Sequence, residues 1–164
     1  MNSLIRIKKG IYITNTESGA GRSVVALGVL KLMLSKLSKV GYFRPIISDC
    51  QKGRKDNRIQ TMLSYFNLDM EYDEAFGFTL SEAVEYKNRG KEALLIDNII
   101  AKYKKLEKRF DIVLVEGSDF LSKGMAIEFD LNLEIAKNLS IPTIIVSSAR
   151  DKEIGEAVSN LNLA

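Results

Sequence analysis

Hydrophobic and polar residues change period along this chain, and the changes mark out alternating strands and helices. Ile11-Tyr12-Ile13 predicts a short buried strand over Ile11 to Thr14. From Ser23 to Ser38, Val24, Leu27, Leu30, Leu34 and Leu37 recur at helical spacing and predict one buried face. Lys39 to Ile46 is β-branched and aromatic, with Pro45 near its end, and predicts the next strand. Ser48 to Lys55 is polar and reads as a flexible connection. Asp56 to Phe66 predicts a helix with Asp56 as its cap and Ile59, Met62, Leu63 and Phe66 as its apolar face. Asn67 to Phe78 predicts irregular chain. Thr79 to Asn88 predicts a helix capped by Thr79 or Ser81. Lys91 to Arg109 predicts another, with Leu94, Leu95, Ile99, Tyr103 and Leu106 turned inward.

Asp111 to Glu116 is the clearest strand. Its continuous apolar run, Ile112-Val113-Leu114-Val115, suits a central parallel strand covered on both faces. A helix over Asp130 to Leu139, a strand over Pro142 to Ser147 and a last helix over Asp151 to Asn160 complete the pattern. Strands separated by helices predict the α/β class: a parallel sheet with right-handed crossovers and flanking helices, one domain over residues 1–164. Four predicted strands is few for such a sheet, and the chain stops just after a helix, so a piece of a longer protein is expected.

Composition narrows the chemistry. The chain has 164 residues, enough for a real core, with 46% hydrophobic and 27% charged residues. It contains no histidine, which removes imidazole bases, Ser-His-Asp and Cys-His catalysis and histidine metal sites. The single cysteine, Cys50, excludes an internal disulfide and suits a reducing cytoplasm; without a nearby histidine or a CxxC partner it reads as an unreactive thiol. The net charge of +3 is mild and the lysines are dispersed, so no nucleic-acid partner is expected. No apolar run approaches the roughly 18 residues of a membrane span, and none near the N-terminus resembles a signal peptide.

The segment Thr14 to Ser23, TNTESGAGRS, joins the first strand to the first helix. Strand, glycine-containing loop and helix is the context of a phosphate-binding loop, because helix-start N–H groups and the helix dipole favour an anion. Gly19 and Gly21 allow close backbone approach, and Ser23 stands where a Mg²⁺-binding hydroxyl would be. Two diagnostic residues differ: the opening glycine of G-x-x-x-x-G-K-[ST] is absent, and Arg22 replaces the lysine. Guanidinium keeps the charge but is a broad planar fork. The loop therefore admits two readings, nucleotide binding or a strand-to-helix turn of inherited shape.

Arg44, in Phe43-Arg44-Pro45-Ile46, falls at a strand end, where open parallel sheets bind ligands; it would share a crevice with Arg22, or else be a plain surface arginine. Glu116 closes the central strand ahead of Gly117, the position at which phosphate-loop proteins hold Mg²⁺; Asp119 could cap a turn or assist. Asp130 reads as a helix cap. Tyr65, Phe66, Tyr72, Phe76 and Phe78 read as packing against the sheet, with self-association as the alternative.

Asn15 to Ser23, Val40 to Ile46 and Val115-Glu116-Gly117 together resemble the dethiobiotin synthetase type of P-loop domain. Longer stretches resemble the N-terminal domain of long-form bacterial phosphate acetyltransferase: Lys55-Asp56-Asn57 with Tyr65 to Leu68, Val113 to Phe120, and Glu128 to Asn132 with Ile135 to Leu139. The resemblance runs from about Lys8 to Ser148. It implies a P-loop NTPase-like parallel sheet flanked by helices, a truncated form of the dethiobiotin synthetase-like domain. It also implies a role in regulation and oligomer assembly, with the remaining domains of the parent enzyme and further copies of the chain as partners. The parent reaction interconverts acetyl-CoA plus phosphate with acetyl phosphate plus CoA; its catalytic domain lies C-terminal to this chain, which is expected to hold no catalytic residue.

The resemblance further implies nucleotide or phosphate binding by Thr16, Glu17, Gly19, Gly21, Arg22, Ser23 and Arg44, with Mg²⁺ on Glu116 together with Ser23. The bound species would be a nucleotide or another phosphorylated effector. Arg22 and Arg44 stand where dethiobiotin synthetase has lysines, which counts against ATP-dependent carboxylation. An active synthetase of the dethiobiotin or cobyrinate type and a structural module without ligand are the alternatives.

Overall fold

The computed structural model describes residues 9–51, 53–118 and 125–150, with Gly155, Val158 and Ser159; for residues 125–129 it describes the backbone alone. In chain order the elements are β1 Gly10–Asn15, α1 Arg22–Leu34, β2 Val40–Ile47, α2 Asn57–Tyr65, a 3-10 turn at Tyr72–Glu74, β3 Phe76–Thr79, α3 Leu80–Asn88, α4 Glu92–Arg109, β4 Ile112–Glu116, α5 Met125–Leu139 and β5 Thr143–Val146. The strands form one five-stranded sheet in the order β3-β2-β4-β1-β5, and every pairing is parallel. The expected last helix and Asp119 lie almost wholly outside the described residues.

Burial follows sheet position. The continuous apolar run at Ile112 to Val115 becomes the middle strand, and β2 beside it is buried at every position. β5, at the edge, alternates between exposed and half-buried. Tyr103 of α4 lies against Gly10 of β1, so closely that a Cβ on Gly10 would collide with its hydroxyl. The caps of α2 and α3 are the ones expected: Asp56 accepts from Arg58 N and Ile59 N, and Thr79 forms a reciprocal capping box with Glu82.

Five expectations need correction. The stretch read as irregular contains a fifth strand, β3, at its end. β3 is only four residues long with Gly77 inside it, so its periodicity is too brief to register. The glycine has a tertiary cause, because any Cβ there would strike the carbonyl of Pro45 in β2. Pro45 itself is tolerated because the register of β2 with β4 runs only to Phe43↔Val115.

In α1 the buried residues are Arg22, Ala26, Leu30 and Met33, while Val24 is 73% exposed. This helix is apolar on more than one face, so spacing alone does not select its phase. In α4, Ile96 and Glu107 join the buried face and Leu94 leaves it. Helix α5 starts at Met125, which puts Asp130 inside the helix and not at its cap. The aromatic stretch divides: Phe66, Tyr72, Phe76 and Phe78 pack against the core, whereas Tyr65 is largely exposed.

A parallel sheet brings all strand carboxyl ends to one side. The connections after β1, β2 and β4 therefore meet there, and those connections carry most of the candidate residues.

Candidate phosphate-loop site

The loop after β1 is tied to the sheet by Thr16 N, which donates to Val146 O at 3.0 Å. Asn15 Nδ2 donates to Glu17 O, and Glu17 Oε1 accepts from Ser148 N, linking the loop to the segment after β5. Thr16 Oγ1 is buried and makes no hydrogen bond among the described residues. Gly21 has φ of 87° and forms the N-cap of α1, a left-handed conformation in which glycine carries no Cβ strain. Its carbonyl accepts from Val24 N and Val25 N, starting the helix. Ser23 is half-buried in the first turn.

Arg22 sits at the first helical position and turns inward, with 1% of its surface exposed. Its Nε donates to Glu116 Oε1 at 3.3 Å, and its Nη1 donates to Asn15 Oδ1 at 2.5 Å and to Ser118 O at 2.6 Å. Glu116 is fully buried at the carboxyl end of β4. Arg58 Nη1, from the first turn of α2, reaches the same Oε1 at 2.6 Å, and Tyr42 OH donates to Oε2 at 2.6 Å. One buried carboxylate thus joins two guanidinium groups and a phenol. Burial, and then the Glu116 charge, hold the Tyr42 hydroxyl well above its ordinary pKa, so it stays a donor.

This arrangement does not fit Mg²⁺. Both Glu116 oxygens already accept hydrogen bonds, and a dication there would stand between Arg22 and Arg58. Among the described residues no group of three or more Asp, Glu, Cys or His side chains could hold a metal ion.

Arg44 hydrogen-bonds a different carboxylate from Arg22. It is 5% exposed, so it is no surface arginine, and its Nη1 donates to Asp56 Oδ2 at 2.8 Å. Burial works against its charge, but Tyr42, Asp56 and Glu116 outweigh burial and raise its pKa above the ordinary value. Arg44 lines a cleft of about 610 Å³ with Ser48, Cys50, Arg54, Lys55, Asp56 and Arg58. Cys50 is exposed beside it, and its thiol is pushed up in pKa by partial burial and by the Asp56 and Asp49 charges, which keep it protonated.

The loop, Arg22 and Glu116 were identifiable from the residues; Arg58, Tyr42, Asn15 and Ser118 were not singled out. A period-two signal existed for one of them. Tyr42 and Arg44 alternate onto one face of β2, and Tyr42 pairs in register with Leu114, two residues before Glu116. Nothing local marks Arg58, whose partner lies 58 positions away.

Residues 9–164 match the AAA domain family. The chain is 42% identical over 157 residues to a phosphate acetyltransferase of Nitratidesulfovibrio vulgaris, covering 96% of this chain and 22% of that protein. It is 39% identical to the phosphate acetyltransferase of Synechocystis sp., covering 94% of this chain and 22% of that one. At 21% identity it matches an ATP-dependent dethiobiotin synthetase of Bacillus subtilis over 87% of this chain and 62% of the synthetase. The chain thus spans about a fifth of the length of the two acetyltransferases. With a parallel α/β sheet, a glycine-containing loop ahead of α1 and a family match over residues 9–164, the chain belongs to the AAA domain family of P-loop proteins.

Proposed function

We propose that this chain is the regulatory and assembly domain of a phosphate acetyltransferase, with a phosphate loop closed by its own arginine. Acetyl transfer between acetyl-CoA and phosphate would take place elsewhere in the parent enzyme. The observation that carries this reading is the burial of Arg22 onto Glu116, Asn15 and Ser118. A guanidinium held this way directs its Nε and Nη1 donors into the fold, away from a phosphate on the outer side of the loop. Glu116, held by two cations, is likewise withdrawn from metal binding. The identity to two phosphate acetyltransferases supports the choice of parent over a dethiobiotin synthetase, which is more distant. The partners are the remaining domains of that parent and further copies of the chain, in the cytoplasm. Among the described residues, no helix is long and apolar enough to cross a membrane.

The test is a chimera in which this chain replaces the matching fifth of the Nitratidesulfovibrio vulgaris enzyme, compared with a deletion of that segment. The chimera is expected to keep the oligomeric state and acetyl transfer. The deletion is expected to lower the oligomeric state or change the substrate saturation curve. A deletion that leaves both unchanged overturns the reading. ATP hydrolysis or Mg²⁺-dependent carboxylation by the isolated chain would favour the synthetase alternative.

A further inference from the structure

We propose that the outer face of α1 is a docking surface for another domain of a longer parent chain, a domain that offers an apolar ridge edged by carboxylates. The existence of that domain rests on the parent reading above; the face rests on α1 itself. Arg22, Ala26, Leu30 and Met33 supply the side of α1 that packs on the sheet. On the opposite side Val24, Gly28 and Leu32 fall at i, i+4 and i+8, in one row along the helix. Val24 is 73% exposed and Leu32 is 64% exposed. Elsewhere the outward faces of long helices are charged: α3 exposes Glu82, Glu85 and Lys87, and α4 exposes Asp97, Lys105 and Lys108. In α1 Lys31 is the one charged residue on the outer side. A helix that is apolar all round belongs in a setting where it is covered all round.

Gly28 has no use within this domain. A Cβ placed on it would meet nothing within 4 Å, so no close approach inside the fold calls for glycine. Its φ is not among the positive ones, so no left-handed backbone calls for it either. Glycine in a helix interior is destabilising relative to alanine. Between Val24 and Leu32 it opens a notch in the row, and a side chain of an opposing element fits there when two elements pack closely.

Size, tethering and charge select the occupant. A stable pair of free subunits needs about 800 Å² from each partner, and one face of a 13-residue helix about 20 Å long offers less. A domain tethered in the same chain is held at high effective concentration and docks through a smaller surface. The chain spans 22% of each of two phosphate acetyltransferases, so a parent of that length has room for such a domain. Lys31 and Lys36 are exposed at the C-terminal end of the face, and among the described residues neither has a carboxylate partner. Helix α1 has no acidic residue, so a second copy of it would bring further lysines and nothing to pair with them. Carboxylates at the rim of a different domain would pair with both.

The test is thiol labelling of Leu32→Cys in a Cys50→Ser background, in the 164-residue chain and in its chimera with the Nitratidesulfovibrio vulgaris enzyme. Leu32→Cys is expected to react at least about tenfold more slowly in the chimera. Lys105→Cys is expected to react equally in both. It lies across the sheet from α1, because the crossovers from β1 to β2 and from β3 to β4 run in opposite directions. Adding Val24→Lys to Leu32→Cys is expected to restore fast labelling in the chimera. Equal labelling of Leu32→Cys in both proteins overturns the face. So does protection in the 164-residue chain that grows with its concentration, which would make a second copy the occupant. Labelling is read without acetyl transfer, so the two readings fail separately. Fast labelling in an active chimera removes the face alone, whereas protection in a chimera without acetyl transfer counts against the parent reading alone.

Discussion

Arg22 Nε lies 3.3 Å from Glu116 Oε1, and this contact joins the start of α1 to the end of β4. A cation at the first position of a helix faces the positive end of the helix dipole and is out of place there. Glu116 beneath it supplies the compensating charge. The two residues are 1% and 0% exposed, so neither is screened by water. The arrangement requires both at once.

Removing one partner alone should be severe. Arg22→Ala is expected to destabilise the fold by about 3–5 kcal/mol, because Glu116 stays buried with one fewer cation. Glu116→Ala should cost a similar amount by leaving two guanidinium groups without their shared carboxylate. The double variant is expected to lose less than the sum, with a coupling of about 1–3 kcal/mol. Urea denaturation of the four proteins closes the cycle, and strict additivity would contradict the pairing.

Asp56 has two separable duties. Asp56→Asn keeps an oxygen for the backbone N–H groups of Arg58 and Ile59 but removes the counter-charge of Arg44. Asp56→Ala removes both and is expected to be the less stable by about 0.5–2 kcal/mol, the range for a lost helix cap. Amide exchange in the first turn of α2 should rise in the alanine variant and stay near parental in the asparagine variant.

Acid stability should depend on Glu74. Its carboxylate accepts from Glu71 N and from Arg109, and the Glu71 hydrogen bond is the main reason that its pKa falls below 4.5; Arg109 adds to the lowering and partial burial opposes it. A carboxylate with a depressed folded pKa stabilises the fold fully above its unfolded value. That contribution is lost as pH falls through the folded value. Thermal denaturation as a function of pH should therefore show a flatter acid limb in Glu74→Gln, with the difference between variant and parent largest above about pH 4.5.

Gly77→Ala is expected to loosen the edge of the sheet. The added methyl would meet the Pro45 carbonyl, and that backbone cannot yield without disturbing β2. Overpacking of this kind costs about 1–3 kcal/mol. Exchange of the β3 amides should quicken while that of β1 and β4 holds, since β3 pairs with β2 alone.

Much of the local architecture was legible. The apolar run at Ile112 to Val115 marked the central strand, and Asp56 and Thr79 marked helix starts, because caps and strand burial depend on residues close in sequence. The phase of α1 was not legible. Its apolar residues leave several faces available, and the inward turn of Arg22 accompanies the burial of Ala26, Leu30 and Met33. β3 escaped because its glycine answers to Pro45, a residue in another strand.

The amino-acid order alone settled the α/β class, the glycine-containing turn after β1 and the residue types gathered at the sheet's carboxyl edge. Short-range periodicity and backbone preference carry such information within a few residues. Which cation meets which carboxylate was decided only on folding. Arg22 and Glu116 are 94 positions apart, Tyr42 and Glu116 are 74 apart, and Arg58 and Glu116 are 58 apart. A long charged side chain has no preferred direction in the extended chain. The sheet gives it one by burying a carboxylate within reach, and here that carboxylate turned the loop's arginine inward.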